Sequence, residues 1–206
     1  MSTPALSSGA KTADPFVPET VSLCGQWWFR TDPGSVGEQQ RRYESNDPLS
    51  AWRKVRVPHA WQVDSSFVDY RSVACYRRTF DAPIEWQDSA VRIEFEAVFH
   101  TATIWINEGW AGEHVRKEYT FALDITRVLS CGKSNTIAGR VDNAFNGNML
   151  PRGRSSDWAH DAGIYRPVQR GSMRVPFAPF ATHKLMVWGR SYSENGMRRQ
   201  YCPRAA

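Results

Sequence analysis

Apolar and polar residues alternate with a period of two over Val91-Arg92-Ile93-Glu94-Phe95-Glu96-Ala97, the clearest such run in the chain. A strand sends successive side chains to opposite faces, so Val91, Ile93, Phe95 and Ala97 are expected in a core and Arg92, Glu94 and Glu96 in solvent. Thr101 to Ile106 repeats the alternation through Ala102, Ile104 and Ile106. Asn107-Glu108-Gly109 then supplies the polar and glycine residues of a hairpin turn, so this strand and its successor should pair antiparallel. Phe121, Leu123 and Ile125 form a third alternating set. Asp124-Ile125-Thr126 followed by Leu129 predicts a short helical turn or loop start, with an Asp or Thr side chain capping backbone donors. Gly132 to Asn135 reads as a turn and Thr136 to Val141 as a strand. Gly163-Ile164-Tyr165-Arg166-Pro167-Val168 reads as a glycine-hinged entry into a short apolar strand, which Pro167 confines to a sheet edge or a bulge. After Val168 the pattern weakens, with His183 to Trp188 as one further candidate strand. Short strands at this spacing, without a long helical period, predict an all-β antiparallel sandwich.

A chain of 206 residues can bury such a core without covalent staples. Its 9 tryptophans, 14 glycines and 12 prolines favour many short strands over helices. Residues 1–14 are small and polar and are expected to be a disordered lead, residues 15–180 the sandwich, and residues 181–206 the start of a following domain or an unstructured basic tail. The net charge of +5 is concentrated in that tail, where Lys184, Arg190, Arg198, Arg199 and Arg204 face one acid, Glu194. The body is nearly neutral, which argues against nucleic acid as a partner. Apolar runs stay well short of the ~20 residues of a membrane span, and the N-terminus lacks a charged start followed by an apolar block. No membrane partner or signal peptide is expected, and the cytoplasm is the expected location. Cys24, Cys75, Cys131 and Cys202 have no paired spacing and read as free thiols. The five histidines are scattered, and no nucleophile elbow, phosphate loop or dinucleotide fingerprint occurs, so neither a metal nor a cofactor is implied.

Candidate chemistry is concentrated in Asp157 to Val168, DWAHDAGIYRPV, reached from a strand ending Val141-Asp142-Asn143. The carboxylate of Asp157 can accept hydrogen bonds from two neighbouring sugar hydroxyls, each strengthened by its charge. Trp158 beside it can lie against the C–H face of the ring. The plainer alternatives are an Asp157 that caps a loop or pairs with Arg152, Arg154 or Arg166, and a Trp158 that packs beneath the loop. Asn143, at a strand end, is expected to order the loop through backbone bonds. The polar and aromatic stretch Asp64 to Tyr70 is placed at the border of the same cleft. Glu94 and Glu96, ~7 Å apart on one strand face, fall near glycosidase carboxylate spacing. They sit on a solvated face beside Arg92, whereas a catalytic acid needs a raised pKa and a cleft, so no catalytic residue is assigned.

The order of several motifs resembles the N-terminal sugar-binding domain of the family 2 glycoside hydrolases, the group of β-galactosidases, β-glucuronidases and β-mannosidases. The matching pieces are Leu23-x-Gly25-x-Trp27-x-Phe29, Trp52 to Trp61, Tyr76-Arg77-Arg78-x-Phe80, Ile104-Trp105-Ile106-Asn107, Phe121-x-Leu123-Asp124-Ile125-Thr126, Val141-Asp142-Asn143 and Gly163 to Val168. The resemblance implies a jelly roll and a noncatalytic domain of a retaining O-glycosyl hydrolase. It implies that the catalytic glutamates lie in a (β/α)8 barrel, reached through an immunoglobulin-like domain, neither of which this chain has the length to hold. Asp157 resembles the aspartate that reaches into the barrel to contact the β-glycoside, which makes Asp157, Trp158 and Asn143 the candidate substrate-binding residues. A stand-alone carbohydrate-binding or protein-interaction module is the alternative. Three departures from the family pattern predict looser packing. Cys75 stands where a tryptophan is usual, Glu108 where a turn glycine is usual, with Gly109 expected in the left-handed position, and Gly139 where a β-branched residue is usual.

Overall fold

The computed structural model describes residues 19–115, 119–144 and 162–173. Within them the strands are β1 (Glu19–Ser22), β2 (Gly25–Asp32), β3 (Arg53–Val57), β4 (His59–Ala60), β5 (Val73–Asp81), β6 (Ala90–Phe95), β7 (Thr101–Ile106), β8 (Gly109–Val115), β9 (Phe121–Asp124), β10 (Ser134–Asp142), β11 (Gly163–Ile164) and β12 (Val168–Met173). They form a six-stranded antiparallel sheet ordered β3-β2-β5-β10-β7-β8, a four-stranded one ordered β1-β12-β6-β9, and the two-stranded ribbon β11-β4. Among the described residues, the helical structure is confined to three-residue 3-10 turns. The fold is the expected jelly-roll β-sandwich.

The core lies between the two large sheets. Trp27, Phe29, Tyr76, Ile104, Ile137 and Val141 come from the larger sheet, and Val91, Ile93, Phe95, Phe121 and Val168 from the smaller. Val91, Ile93, Phe95 and Ala97 are all buried, as their period-two spacing requires. At the end of β9 the capping expectation holds in detail. Asp124 accepts from the Thr126 N–H (3.0 Å), and Thr126 Oγ1 accepts from the Val91 N–H (2.9 Å).

The β7–β8 hairpin forms, but its turn differs from the expectation. Ile106 pairs with Gly109, so Asn107 and Glu108 are the two central residues, at φ of 49° and 71°. A type I′ turn needs both in the left-handed region. Gly109 therefore opens β8 instead. Asn107 tolerates its position because its side chain is fully used, donating to the Val128 and Asn135 oxygens (2.9 and 2.6 Å) and accepting from the Thr136 N–H (2.9 Å). Glu108 is held by Ser45, whose N–H and hydroxyl both donate to its carboxylate.

The larger sheet is covered on its outer face as well. Cys75, Arg77 and Trp105 point away from the sandwich core, yet they are buried. The segment 33–52 crosses them: Tyr43 stacks on Trp105 (4.9 Å between centroids, 6° between planes), and Arg77 donates to the carbonyls of Glu44 (2.5 Å) and Asp47 (2.8 Å) while lying over Trp52. Gly37 is what allows the close approach, since a Cβ there would stand 2.8 Å from the Asp32 carboxylate and 3.3 Å from the Cys75 sulfur. The looser packing expected at Cys75 is absent; the void between loop and sheet is only ≈ 10 Å³. The burial pushes the Cys75 thiol up to about 12. Gly139 is tight for a similar reason, because a Cβ would come within 3.2 Å of Ile104 Cδ1.

Pro167 also departs from expectation. It precedes β12 and does not confine it to an edge, for β12 lies between β1 and β6. Proline is tolerated because its carbonyl alone is needed, accepting from Glu96 N–H (3.0 Å). The continuation Gln169 to Ser172, which has no apolar alternation, is ladder-paired on both sides. Inside it Arg170 is buried over Phe80 and Trp86 and reaches the Asp81 carbonyl.

Candidate functional site

Asp32, Val73, Asp142 and Thr101 are register partners across four strands and mark one end of the sandwich. From that end the chain leaves β10 at Asn143 and returns at Ala162. Asp157 and Trp158 lie in the intervening stretch, outside the described residues. The roots of the stretch are described, and both are tied to one rim, residues 61–72.

Asn143 is almost fully buried. Its Oδ1 accepts from the Ser72 N–H (2.9 Å), its own N–H donates to the Ser72 carbonyl (3.4 Å), and its Nδ2 reaches the Tyr70 carbonyl (3.5 Å). Ala162 donates its N–H to Gln62 Oε1 (2.7 Å) and accepts the Trp61 N–H at its carbonyl (3.0 Å). Gln62 Nε2 and Trp61 Nε1 then donate to the same Tyr70 carbonyl, both at 3.3 Å. One main-chain oxygen thus joins the two roots.

The rim is stiffened by its own contacts. Asp64 caps the turn that follows by accepting from Ser66 N–H (2.9 Å), and it pairs with Arg53 (2.7 Å). The Ser66 donor first, and Arg53 second, hold its carboxyl below the usual aspartate range. The Arg53 guanidinium lies over Phe67 (4.3 Å) and Phe29 (5.1 Å). The Tyr70 hydroxyl donates to Val73 O (2.5 Å) and accepts from Asp32 N–H (3.1 Å).

Below the rim, Gly163 (φ +129°) pairs with Ala60 and exchanges two hydrogen bonds with Phe99. His59, next to Ala60, contacts the Tyr76 hydroxyl through Nδ1 (2.9 Å) and packs edge-on against Phe29. Burial, then the nearby Arg53 charge, lower its pKa from 6.5 to about 4. The folded value lies below the unfolded one, so neutral His59 contributes stability that is fully present above about pH 6.5 and is lost as pH falls toward 4. After discounting for partial exposure the loss is roughly 1–2 kcal/mol. Unfolding free energies from urea titrations should be lower at about pH 4.5 than at about pH 7 by that amount in the native chain, and by clearly less in His59→Phe. Equal falls in both would overturn the assignment to His59.

Chemically, the described part of this end is a scaffold. Its polar groups are consumed by one another, and among the described residues no cluster has a metal-binding donor set. Glu94 and Glu96 lie on the far side of β6 from the core, where Glu96 accepts from Gln169 Nε2 (3.0 Å). Sequence reasoning did not single out Gln62, Ser72 or the Tyr70 carbonyl. Backbone acceptors leave no mark in residue identity, and a lone glutamine carries no pattern.

Two antiparallel sheets packed face to face define the class, a jelly-roll β-sandwich domain. Residues 62–171, more than half of the chain, match the model of the glycosyl hydrolases family 2 sugar binding domain, and the chain belongs to that family. It is 27% identical over 177 residues to a β-glucuronidase of Paenibacillus borealis, covering 76% of this chain and 29% of the relative. With a β-galactosidase of Thermoanaerobacter pseudethanolicus it shares 35% identity over 131 residues, 61% of this chain and 18% of that enzyme. Among solved structures, a β-glucuronidase from Ruminococcus gnavus in complex with uronic isofagomine superposes with a TM-score of 0.68 at 23% identity, covering 76% of this chain and 29% of the other. The chain spans less than a third of the length of these proteins.

Proposed function

We propose that this domain serves the hydrolysis of O-glycosidic bonds as the noncatalytic, substrate-contacting part of a family 2 glycosidase. Its partners in that reading are an immunoglobulin-like domain, a (β/α)8 barrel that carries the catalytic glutamates, and a β-glycoside. Asp157 accepts hydrogen bonds from the sugar held at the barrel, Trp158 borders the ring, and Asn143 positions the segment that carries both. The observation that carries the reading is the double anchoring of Asn143 and Ala162 on residues 61–72, which fixes where the intervening chain leaves and re-enters the fold. Binding groups act on a transition state only when held in place before it forms, and anchored roots at Asn143 and Ala162 suit that requirement.

The test is Asp157→Ala installed at the matching position of an intact, active relative. A lost charged hydrogen bond predicts kcat/KM lower by ~1.5–3 kcal/mol, roughly one to two orders of magnitude. Unchanged kcat/KM would remove Asp157 from the site. The stand-alone module reading has one observation in its favour, the 64% exposure of Trp110 on edge strand β8. Titration of the isolated chain with glycans separates the two, since a domain that supplies only part of a cleft should bind them very weakly.

A further inference from the structure

Cys75 stands where the family pattern has a tryptophan, and the surroundings of its sulfur are charged. In the six-stranded sheet it lies between Arg30 of β2 and Arg140 of β10, its direct register partners on the same face. Directly opposite residues have Cβ atoms ~5 Å apart, so two arginine side chains flank the thiol. A third, Arg42, comes from segment 33–52 and borders the ≈ 10 Å³ void beside Cys75. Arg42 spends Nη1 on Asp32 and Nη2 on Gln40 Oε1. Its Nε–H is buried, in a side chain 9% exposed, and has no hydrogen-bond partner among the described residues. Buried donors in folded proteins nearly always have one. Of the two carboxylates nearby, Asp32 is taken up by Arg42 and the N–H groups of Val36 and Gly37, and Glu38 is exposed. A void of this size is at the limit for one free water, and a single oxygen atom bonded to the sulfur needs less room.

The segment above the sulfur can lift without disturbing a ladder. Its main-chain bonds run within residues 32–52, and it is tied to the sheet by side chains, chiefly Arg77 to the Glu44 and Asp47 carbonyls and Arg140 to Ser35 Oγ (2.9 Å). Ser35 and Arg41 both hold a φ of 51°, which residues with a Cβ rarely adopt. Segments of this kind open locally while the core stays folded. In the closed form burial, then the Asp32 charge, push the Cys75 thiol up to about 12. Opening admits water and removes the larger of those two causes, and Arg30 and Arg140 then favour the thiolate, the nucleophilic form.

We propose that Cys75 is a site of oxidation by hydrogen peroxide, and that closure of segment 33–52 stores the resulting sulfenate with Arg42 Nε–H donating to the added oxygen. In the open form the thiol gives its proton to solvent. The thiolate sulfur attacks one peroxide oxygen, so that an S–O bond forms as the O–O bond breaks and hydroxide leaves. The sulfenic acid proton neutralises that hydroxide, and the products are water and a sulfenate. Sulfur has lost two electrons and peroxide has gained them. The site lies on the outer face of the larger sheet and stands or falls independently of the function proposed above.

Trypsin cuts after Arg71 and Arg77, which isolates Cys75 in a peptide without methionine. The full chain is exposed to hydrogen peroxide near neutral pH, catalase is added, and dimedone is supplied either to the native chain or in concentrated urea before digestion and mass spectrometry. Cys75 should gain one oxygen and hold it, and dimedone should capture it roughly tenfold faster in urea than in the native chain. Arg42→Lys keeps a cation beside Asp32 and removes the donor, so the two capture rates should converge and further oxygens should appear on Cys75. Ser45→Ala, at an exposed position away from the void, loosens the tie of the segment to Glu108 and should speed Cys75 oxidation by roughly threefold while Cys131 is unaffected. No oxygen on native Cys75 after an exposure that oxidises it in urea would overturn the proposal, as would equal capture by dimedone in native and unfolded chains. Unchanged protection in Arg42→Lys would overturn the role of Arg42, and an unchanged rate in Ser45→Ala would overturn the gating by segment 33–52.

Discussion

Gly163→Ala should leave the chain without a cooperative folding transition. A Cβ at this position would stand 2.3 Å from the His59 carbonyl oxygen and 2.7 Å from the Tyr76 hydroxyl, at a φ of +129° that L side chains rarely adopt. Neither neighbour can yield. The His59 oxygen belongs to β4, the pairing strand of β11, and the Tyr76 hydroxyl is fixed at the centre of the core against His59. Backbone strain and overpacking add at one atom, so the expected cost exceeds ~4 kcal/mol, a large part of the stability of a domain this size. The measurement is urea unfolding followed by tryptophan fluorescence, with Gly34→Ala as control, where a Cβ meets only Val36 methyls at ordinary contact distance. A cooperative transition in Gly163→Ala with a midpoint near the control would show that the ribbon can move aside.

The second large effect is expected at the pair Asp32–Arg42. Their closest N···O distance is 2.8 Å, with side chains 2% and 9% exposed, and the Asp32 carboxylate also accepts the N–H groups of Val36 (3.2 Å) and Gly37 (2.7 Å). Arg42→Met leaves a buried carboxylate without its cation and should cost ~3–5 kcal/mol. Asp32→Leu combined with Arg42→Met should cost less than the sum of the two single changes, because the second removal discharges the first. The two residues pin segment 33–52 over Cys75, so Arg42→Met should also speed alkylation of that thiol, which is inert while buried and held near pKa 12. An Arg42→Met chain with native stability and an unreactive Cys75 would show that the segment is held by Tyr43 and the Arg77 contacts alone.

Both effects arise from parts of the fold that periodicity shows unevenly. β6 and β9 were legible because one face is apolar and the other wet, the condition under which alternation carries information, and β7 through Ala102, Ile104 and Ile106 although its outer face is covered too. The sandwich class and the hairpin followed from them. β12 was not legible: its inward positions include Arg170, whose guanidinium finds aromatic faces and a carbonyl inside the protein, so a charged residue occupies a core-facing place. The outer layer 33–52 was hidden for the opposite reason. It covers the sheet by turns and main-chain acceptors, and its buried partners include a thiol and a guanidinium, Cys75 and Arg77, which carry no apolar signal. Glu108 in the left-handed region depended on Ser45, 63 residues away, which no local rule anticipates. Of the candidate site, Asn143 and the Asp64 to Tyr70 stretch were visible as a strand end and a polar aromatic loop. Their union through Gln62, Ser72 and a carbonyl became visible only once the chain was folded.

That carbonyl gives the rim an unusual kind of inheritance. Because the oxygen at Tyr70 belongs to the main chain, no substitution at position 70 deletes it. Tyr70→Phe would forfeit the hydroxyl's bonds to Val73 and Asp32 and still leave the junction with Trp61, Gln62 and Asn143 in place. What descent must preserve here is a path of the backbone together with the side chains that point at it. A change of side chain at position 70 is therefore felt by Asp32, Val73, Trp61 and Phe67, while the junction between Asn143 and Ala162 keeps its acceptor.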